Sequence, residues 1–212
     1  MTSKLALYNG SLRELGSRKI ASLSENRESR RVLDSIWDND AIRTCLAAGQ
    51  WNFATNSIEL SYSPSISPGF GYQYAFDKPA NHVRTVAVCE DEYFKSPLLE
   101  YHDEGAYWYS DLDTIYVRYV DSGTSFGADY SKWPPNFARY VETWLAARAC
   151  VSLTQSESKR NELERLAEVW LVKAKSTDAM EEATRFLPEG SWARSRRGRG
   201  HGDRGRRSRL LG

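Results

Sequence analysis

Three histidines, two carboxylate clusters, three cysteines and an arginine–glycine segment are the residues of this sequence whose types can do chemistry. His82, His102 and His201 each stand alone, without the H-E-x-x-H spacing that turns two imidazoles toward one metal ion. His82 and His102 fall in or beside predicted strands, where packing is the expected use, and His201 falls in the C-terminal segment. Glu90-Asp91-Glu92 and the Asp111/Asp113 pair supply carboxylates of the kind that act as general acid and base, but the composition of turns accounts for them more simply. Cys45, Cys89 and Cys150 are odd in number and lack C-x-x-C spacing, which disfavours a disulfide framework and a zinc site and fits a reducing compartment at synthesis. Gly69-Phe70-Gly71 lacks the remaining glycine of a dinucleotide fingerprint, and neither G-x-x-x-x-G-K-[ST] nor G-x-S-x-G occurs. The expectation is a protein that is not an enzyme, with no catalytic residue, no cofactor and no metal.

The net charge of +1 conceals an asymmetry. Residues 194–212 hold eight arginines, Arg194, Arg196, Arg197, Arg199, Arg204, Arg206, Arg207 and Arg209, against one aspartate, whereas residues 1–193 hold 21 basic and 27 acidic side chains. Guanidinium groups bind phosphates and carboxylates bidentately, and glycine lets the backbone come close. These eight arginines are therefore the expected partner-binding residues, directed at nucleic acid or at an acidic protein surface. The segment is almost without apolar residues until Leu210 and Leu211, so it cannot build a core and is expected to order on binding. Trp51, Trp108, Trp133, Trp144 and Trp170 have the rings to stack on bases or sugars, but core and subunit packing is the expected use.

The elements that must position these residues follow from periodicity. Leu5, Tyr8, Leu12 and Leu15 lie at helical spacing before Gly16, and a longer second helix is predicted from about Leu33 to Ala48, ending at Gly49. In it, residues 38–40 read as a solvated patch or one facing a neighbouring subunit. From Trp51 the period changes to two, through Phe53 and Thr55, then Tyr72, Tyr74 and Phe76, and later Ile115, Val117 and Tyr119. Further strands are predicted at 83–89, 98–102 and 106–110, with hairpin turns at Asp103-Glu104-Gly105 and Asp111-Leu112-Asp113 and a long Pro/Gly loop over 61–71. After Trp133-Pro134-Pro135 two helices return, joined at Thr154-Gln155-Ser156 and expected to be antiparallel neighbours. The predicted class is α+β: a bundle of two N-terminal helices (1–50) and two C-terminal helices (133–184), a central antiparallel β insert (51–132) and an extended basic tail (185–212). The N-terminus lacks an apolar signal core and no run of apolar residues suits a membrane span, so neither secretion by a signal peptide nor membrane insertion is expected.

Leu5-Ala6-Leu7-Tyr8-Asn9-Gly10-Ser11-Leu12-Arg13-Glu14-Leu15-Gly16, then Ile20 to Leu23, then the helix ending at Trp51-Asn52-Phe53-Ala54, resembles the opening of the tail tubular protein A, or head-to-tail adaptor, family of short-tailed phages. Tyr101-His102-Asp103-Glu104-Gly105 with Asp111 to Tyr119 resembles that family's final hairpin, Trp133-Pro134-Pro135-Asn136-Phe137 resembles the segment opening its third helix, and Asp178-Ala179-Met180-Glu181 falls where its last helix ends. The resemblance runs over residues 5–182 and stops before the arginine-rich tail, whose assignment rests on composition alone.

The resemblance implies a virion protein of the head–tail junction, assembled in the host cytoplasm. In that family a ring of twelve copies sits beneath the portal protein and above a nozzle protein of the tail tubular protein B kind, near the tail fibres, and genomic DNA passes through its lumen. Helices of adjacent copies are then expected to form the ring wall, and the β insert to face the distal tail proteins. The acidic body suits a lumen that does not retain DNA. The arginine tail is expected to dock on the portal. The competing expectation is a DNA-binding virion protein that clamps DNA with its Arg/Gly tail, recognisable by affinity that falls steeply with salt. A third class, a peptidoglycan-cutting enzyme, needs a carboxylate pair in a cleft.

Overall fold

The structure, a computed structural model, describes residues 2–68 and 71–181. The eight tail arginines, His201 and Gly69-Phe70 lie outside the described residues. The described chain is α+β, with five α-helices and two three-stranded antiparallel sheets.

Helix α1 (Lys4–Glu14) starts at Ser3, whose hydroxyl accepts the Ala6 N–H, and buries Leu7, Tyr8 and Leu12. Gly16, at φ 70°, ends it while the N–H groups of Gly16 and Ser17 return to the carbonyls of Arg13 and Leu12. The single second helix predicted for 33–48 is in fact two, α2 (Glu28–Asp38) and α3 (Ala41–Ala47). The break has a local cause. The Asn39 side-chain amide donates to the Ser35 carbonyl at 2.7 Å, and Asp40 takes a left-handed conformation, φ 57°, that aspartate tolerates better than most residues. Residues 38–40 are thus a corner, which turns Ala41, Cys45 and Leu46 into the core.

The alternation at Trp51, Phe53 and Thr55 does not begin a strand. Asn52–Ala54 form one 3-10 turn, and β1 (Thr55–Ser61) starts after it. Two contacts hold the turn: the Trp51 indole donates to the Leu46 carbonyl at 2.9 Å, and the Asp178 carboxylate accepts the Asn52 N–H at 3.0 Å. The remaining strands are β2 (Tyr74–Asp77), β3 (His82–Cys89), β4 (His102–Glu104), β5 (Tyr107–Ser110) and β6 (Thr114–Asp121), in sheets ordered β1-β6-β3 and β2-β5-β4.

Three sequence expectations change here. The strand predicted over 98–102 is displaced to β4, which shares only His102 with it, because the segment before is held by a bridge between Cys89 and Pro97 and by the Leu98 N–H on the Val88 carbonyl at 2.9 Å. The hairpin turn is Gly105-Ala106, with Gly105 at φ 53°, since Asp103 and Glu104 still pair with Trp108 and Tyr107. Asp111–Asp113 closes no hairpin: it carries the chain from β5 in one sheet to β6 in the other.

Pro135 occupies the first turn of α4 (Pro135–Thr154), where a missing N–H costs nothing. Gln155, at φ 53°, ends that helix and α5 (Glu157–Glu181) runs back along it, so that Asn136 hydrogen-bonds Thr177 at 2.7 Å across the far end. α4 packs against α1, α2 and α5. The core has two parts: a helical one containing Leu7, Leu33, Trp51, Phe137 and Leu145, and one that joins Phe76 and Trp108 of one sheet to Val88, Ile115, Val117 and Tyr119 of the other. Cys45, Cys89 and Cys150 are buried and no two are bonded to each other. Among the described residues no helix is long and apolar enough to cross a membrane.

Candidate functional site

Three places outside the helical core gather polar or exposed groups. The first is a seam between the sheets. His82 opens β3 half-buried, its ring edge-on to Trp108 with centroids 5.2 Å apart and Nε2 3.1 Å from Thr85 Oγ1. Thr85 donates to the Asp103 carboxylate at 2.6 Å, Trp108 Nε1 lies 3.1 Å from both, and Lys78 pairs with Asp103. A histidine, a hydroxyl and a carboxylate in line invite comparison with a hydrolytic triad, but the protons run the wrong way. Thr85 gives its one proton to Asp103, so His82 Nε2 must donate to Thr85 and cannot act as its base. The seam therefore ties β3 to β4 and β5.

It also makes stability depend on pH. Burial, and then the Lys78 charge, lower the His82 pKa below its ordinary value. Burial opposes charge on Asp103, but hydrogen bonds from Lys78 and Thr85 outweigh it and hold the carboxyl below the usual range. Both groups bind protons less readily when folded, so stability present at neutral pH should fall on acidification. The His82 contribution is lost below about pH 6.5 and the Asp103 contribution below about pH 4. Melting temperatures from pH 7.5 to 3.5 should decline in these two steps, and His82→Gln should remove the upper one; a melting temperature unchanged between pH 7 and 5 would contradict the assignment.

Asp121, 1% exposed, is the second place. It accepts the Gly123 N–H at 2.6 Å, Asn56 at 3.0 Å, the Tyr119 hydroxyl at 3.2 Å and the Asn81 amide. Four neutral donors saturate the carboxylate and pin the loop before β3 to β1 and β6. The Tyr119 phenol is pushed up to about 12, by burial first and then by the Asp121 charge.

The third is the sheet end remote in sequence from the helices, where the turn after β3 meets the β5–β6 link. A groove of about 360 Å³ there is floored by Leu98 and Leu112 and rimmed by Leu99, Glu90, Glu100 and Asp111. Asp91 serves a turn, as composition suggested, accepting the N–H groups of Lys95 and Ser96, whereas Asp111 accepts the N–H of Gln73 from a segment remote in sequence. Those backbone hydrogen bonds, Ser96 foremost, hold the Asp91 carboxyl below its ordinary pKa. His102 is exposed at the start of β4, 3.7 Å from Glu104. Among the described residues, no three His, Cys, Asp or Glu side chains converge as metal ligands.

The helices carry a different surface. On α5 the core is met by Leu163, Ala167, Ala174 and Asp178, while Val169, Val172 and Met180 stand 48, 67 and 80% exposed on the opposite side. A second groove, of about 600 Å³, lies between α2 and α4 and is lined by Arg31, Val32, Ser35, Ile36 and Arg148. Of the tryptophans considered for stacking, Trp51, Trp108 and Trp133 are buried, and Trp144 and Trp170 are half-buried against the helical core.

Sequence reasoning found the face of α5 that is buried but missed its exposed stripe, although apolar residues at 169, 172 and 180 were surplus to that face. It missed Thr85 and Asp121 as well, because a lone threonine or aspartate carries no spacing signal. Neither a model of a known protein family nor a curated protein matches this chain.

Proposed function

We propose that this chain is a structural head-to-tail adaptor of a tailed-phage virion, forming a ring between portal and tail nozzle through which DNA passes. In this reading α1, α2, α4 and α5 form the bundle that makes the ring wall, and the β region faces the distal tail. The observation that carries it is the aliphatic stripe Val169, Val172 and Met180 on the outer side of α5. An exposed apolar stripe on a long helix marks an assembly surface. A closed ring needs two different surfaces per copy, and the groove between α2 and α4 supplies the second.

The α+β class agrees with the resemblance in the sequence, although the final hairpin it implies over 101–119 is split between two sheets, and the charge fits passage of DNA. The described residues carry 25 acidic and 20 basic side chains, an excess that repels phosphate and favours sliding over retention. The arginines from Arg194 to Arg209 are assigned to an anionic partner surface, the portal in preference to DNA. Native mass spectrometry of the purified protein with and without portal protein, with electron microscopy of the complex, tests the reading. A ring should form on the portal, weakened by removal of residues 194–212. A chain indifferent to portal that binds DNA with steep salt dependence would replace the adaptor with a DNA-binding virion protein.

A further inference from the structure

We propose that the acid-rimmed groove at the end of the sheets is a docking site for a cationic peptide segment bearing an aliphatic side chain, supplied by the tail subunit beneath the adaptor. The identity of the partner rests on the adaptor reading; the chemistry of the site does not.

Two properties of the groove define its occupant. The first is an apolar floor that ends in an unusually exposed side chain. Leu98 is buried and Leu112 packs beside it, but Leu99 at the rim is 87% exposed, and Tyr93 on the neighbouring turn is 70% exposed. A leucine with nearly all its surface in water gains by about 25 cal/mol for each Å² that an aliphatic partner covers.

The second property is charge without compensation. Some carboxylates elsewhere in the chain are neutralised in place, Asp34 by Lys4 and Arg30, Glu142 by Arg13 and Arg139, Asp103 by Lys78 and Asp129 by Lys132. Glu90, Glu100 and Asp111 on the rim, with Asp91, Glu92 and Asp113 beside them, form no ion pair among the described residues. The cations nearest in sequence or strand register are engaged with rings instead. The Lys95 ammonium lies 5.2 Å from the Tyr93 centroid, and the Arg118 guanidinium 4.3 Å from that of Phe94.

These features select among ligands. Phosphate is repelled, which excludes nucleic acid at this face. A bare divalent ion would leave the leucines uncovered, and the carboxylates ring the groove without converging on one point. A segment in which arginine or lysine flanks leucine satisfies both, the aliphatic side chain on Leu98, Leu99 and Leu112 and the cations on Glu90, Glu100 and Asp111. Desolvated carboxylates facing a guanidinium fix the direction and register of such a segment, while the leucine contact contributes most of the affinity.

The full-length protein is titrated, by fluorescence anisotropy at low ionic strength, with the labelled peptide Arg-Arg-Leu-Arg-Arg and with its serine-centred and glutamate-flanked counterparts. The leucine–arginine peptide should bind best. The triple variant E90Q/E100Q/D111N and, separately, L99S should each weaken it on the order of tenfold, a change of about 1.4 kcal/mol. Equal binding by the triple variant, or by the glutamate-flanked peptide, would overturn the site.

A second arm tests the source. On a portal–adaptor ring the triple variant should still assemble but should shed the distal tail subunit at salt concentrations the wild type withstands, and photo-crosslinks from position 99 should land on that subunit. Crosslinks to residues 194–212 of a second copy, or tail attachment equal to wild type, would overturn the assigned occupant. Should wild type form no ring on portal, the adaptor reading fails, while the peptide titration still decides the groove.

Discussion

Replacing Trp108 by alanine should cost the protein about 3–5 kcal/mol of stability, enough to consume much of what a chain of this size possesses. Trp108 is fully buried on β5 and, with Phe76, is a side chain through which the two sheets meet. Its loss removes apolar contacts with the residues of the sheet core, opens a cavity that rigid strands cannot close, and takes away the one N–H that Thr85 and Asp103 share. It also removes the ring on which His82 packs and over which the Lys78 ammonium lies at 5.5 Å. Trp108→Phe narrows these causes, because it keeps a six-membered aromatic ring while losing the pyrrole edge with its N–H; it should cost about 1–2 kcal/mol. Urea unfolding followed by circular dichroism reads both values. A Trp108→Ala protein within 1 kcal/mol of wild type would mean that the sheets are held together elsewhere, and the seam would lose its structural role.

How legible that seam was depends on which forces are written locally. The helical hairpin of α4 and α5 could be read from the sequence because Trp133-Pro134-Pro135, two long apolar faces and a polar link are all short-range features. The central strand β6 could be read as well, from Ile115, Val117 and Tyr119 in alternation. Where reading failed, a tertiary contact had overridden a local pattern. Trp51 and Phe53 alternate like strand residues, yet both rings turn toward Phe137 of α4, at 4.7 and 4.9 Å, and the backbone coils to let them. The helix broken at Asn39-Asp40 shows the converse, a local signal that overrides the period: Asn39, which bonds back to the Ser35 carbonyl, and Asp40, which takes a left-handed backbone, outcompete the apolar spacing around them. Sheet membership was not legible at all. Nothing in Asp111-Leu112-Asp113 says whether β6 returns beside β5 or crosses to another sheet, and the acid-rimmed groove exists only because it crosses. The arginine segment is the reverse case: composition alone names its chemistry, and Arg194 to Arg209 lie outside the described residues.

The double substitution V169D/V172D should abolish ring formation while leaving the isolated chain folded. Both positions are exposed on α5 and face away from its buried side, so their replacement should alter monomer stability by no more than about 0.5 kcal/mol. In the ring each carboxylate would be taken out of water without a partner, at a cost of several kcal/mol per contact, and closure repeats that cost at every interface. A companion variant, Ser35→Trp, should fill the groove between α2 and α4 from an exposed position and block the opposite surface. Mixing the two variants then tests whether the contact is head-to-tail. A V169D/V172D chain keeps its groove and a Ser35→Trp chain keeps its stripe, so the mixture can form one competent contact and should stop at heterodimers, whereas each variant alone stays monomeric. If the stripe instead paired with a second stripe about a twofold axis, Ser35→Trp would dimerise by itself and the mixture would add nothing. Native mass spectrometry distinguishes these patterns. Full rings from V169D/V172D would remove the stripe, and with it the assembly surface on which the adaptor reading stands.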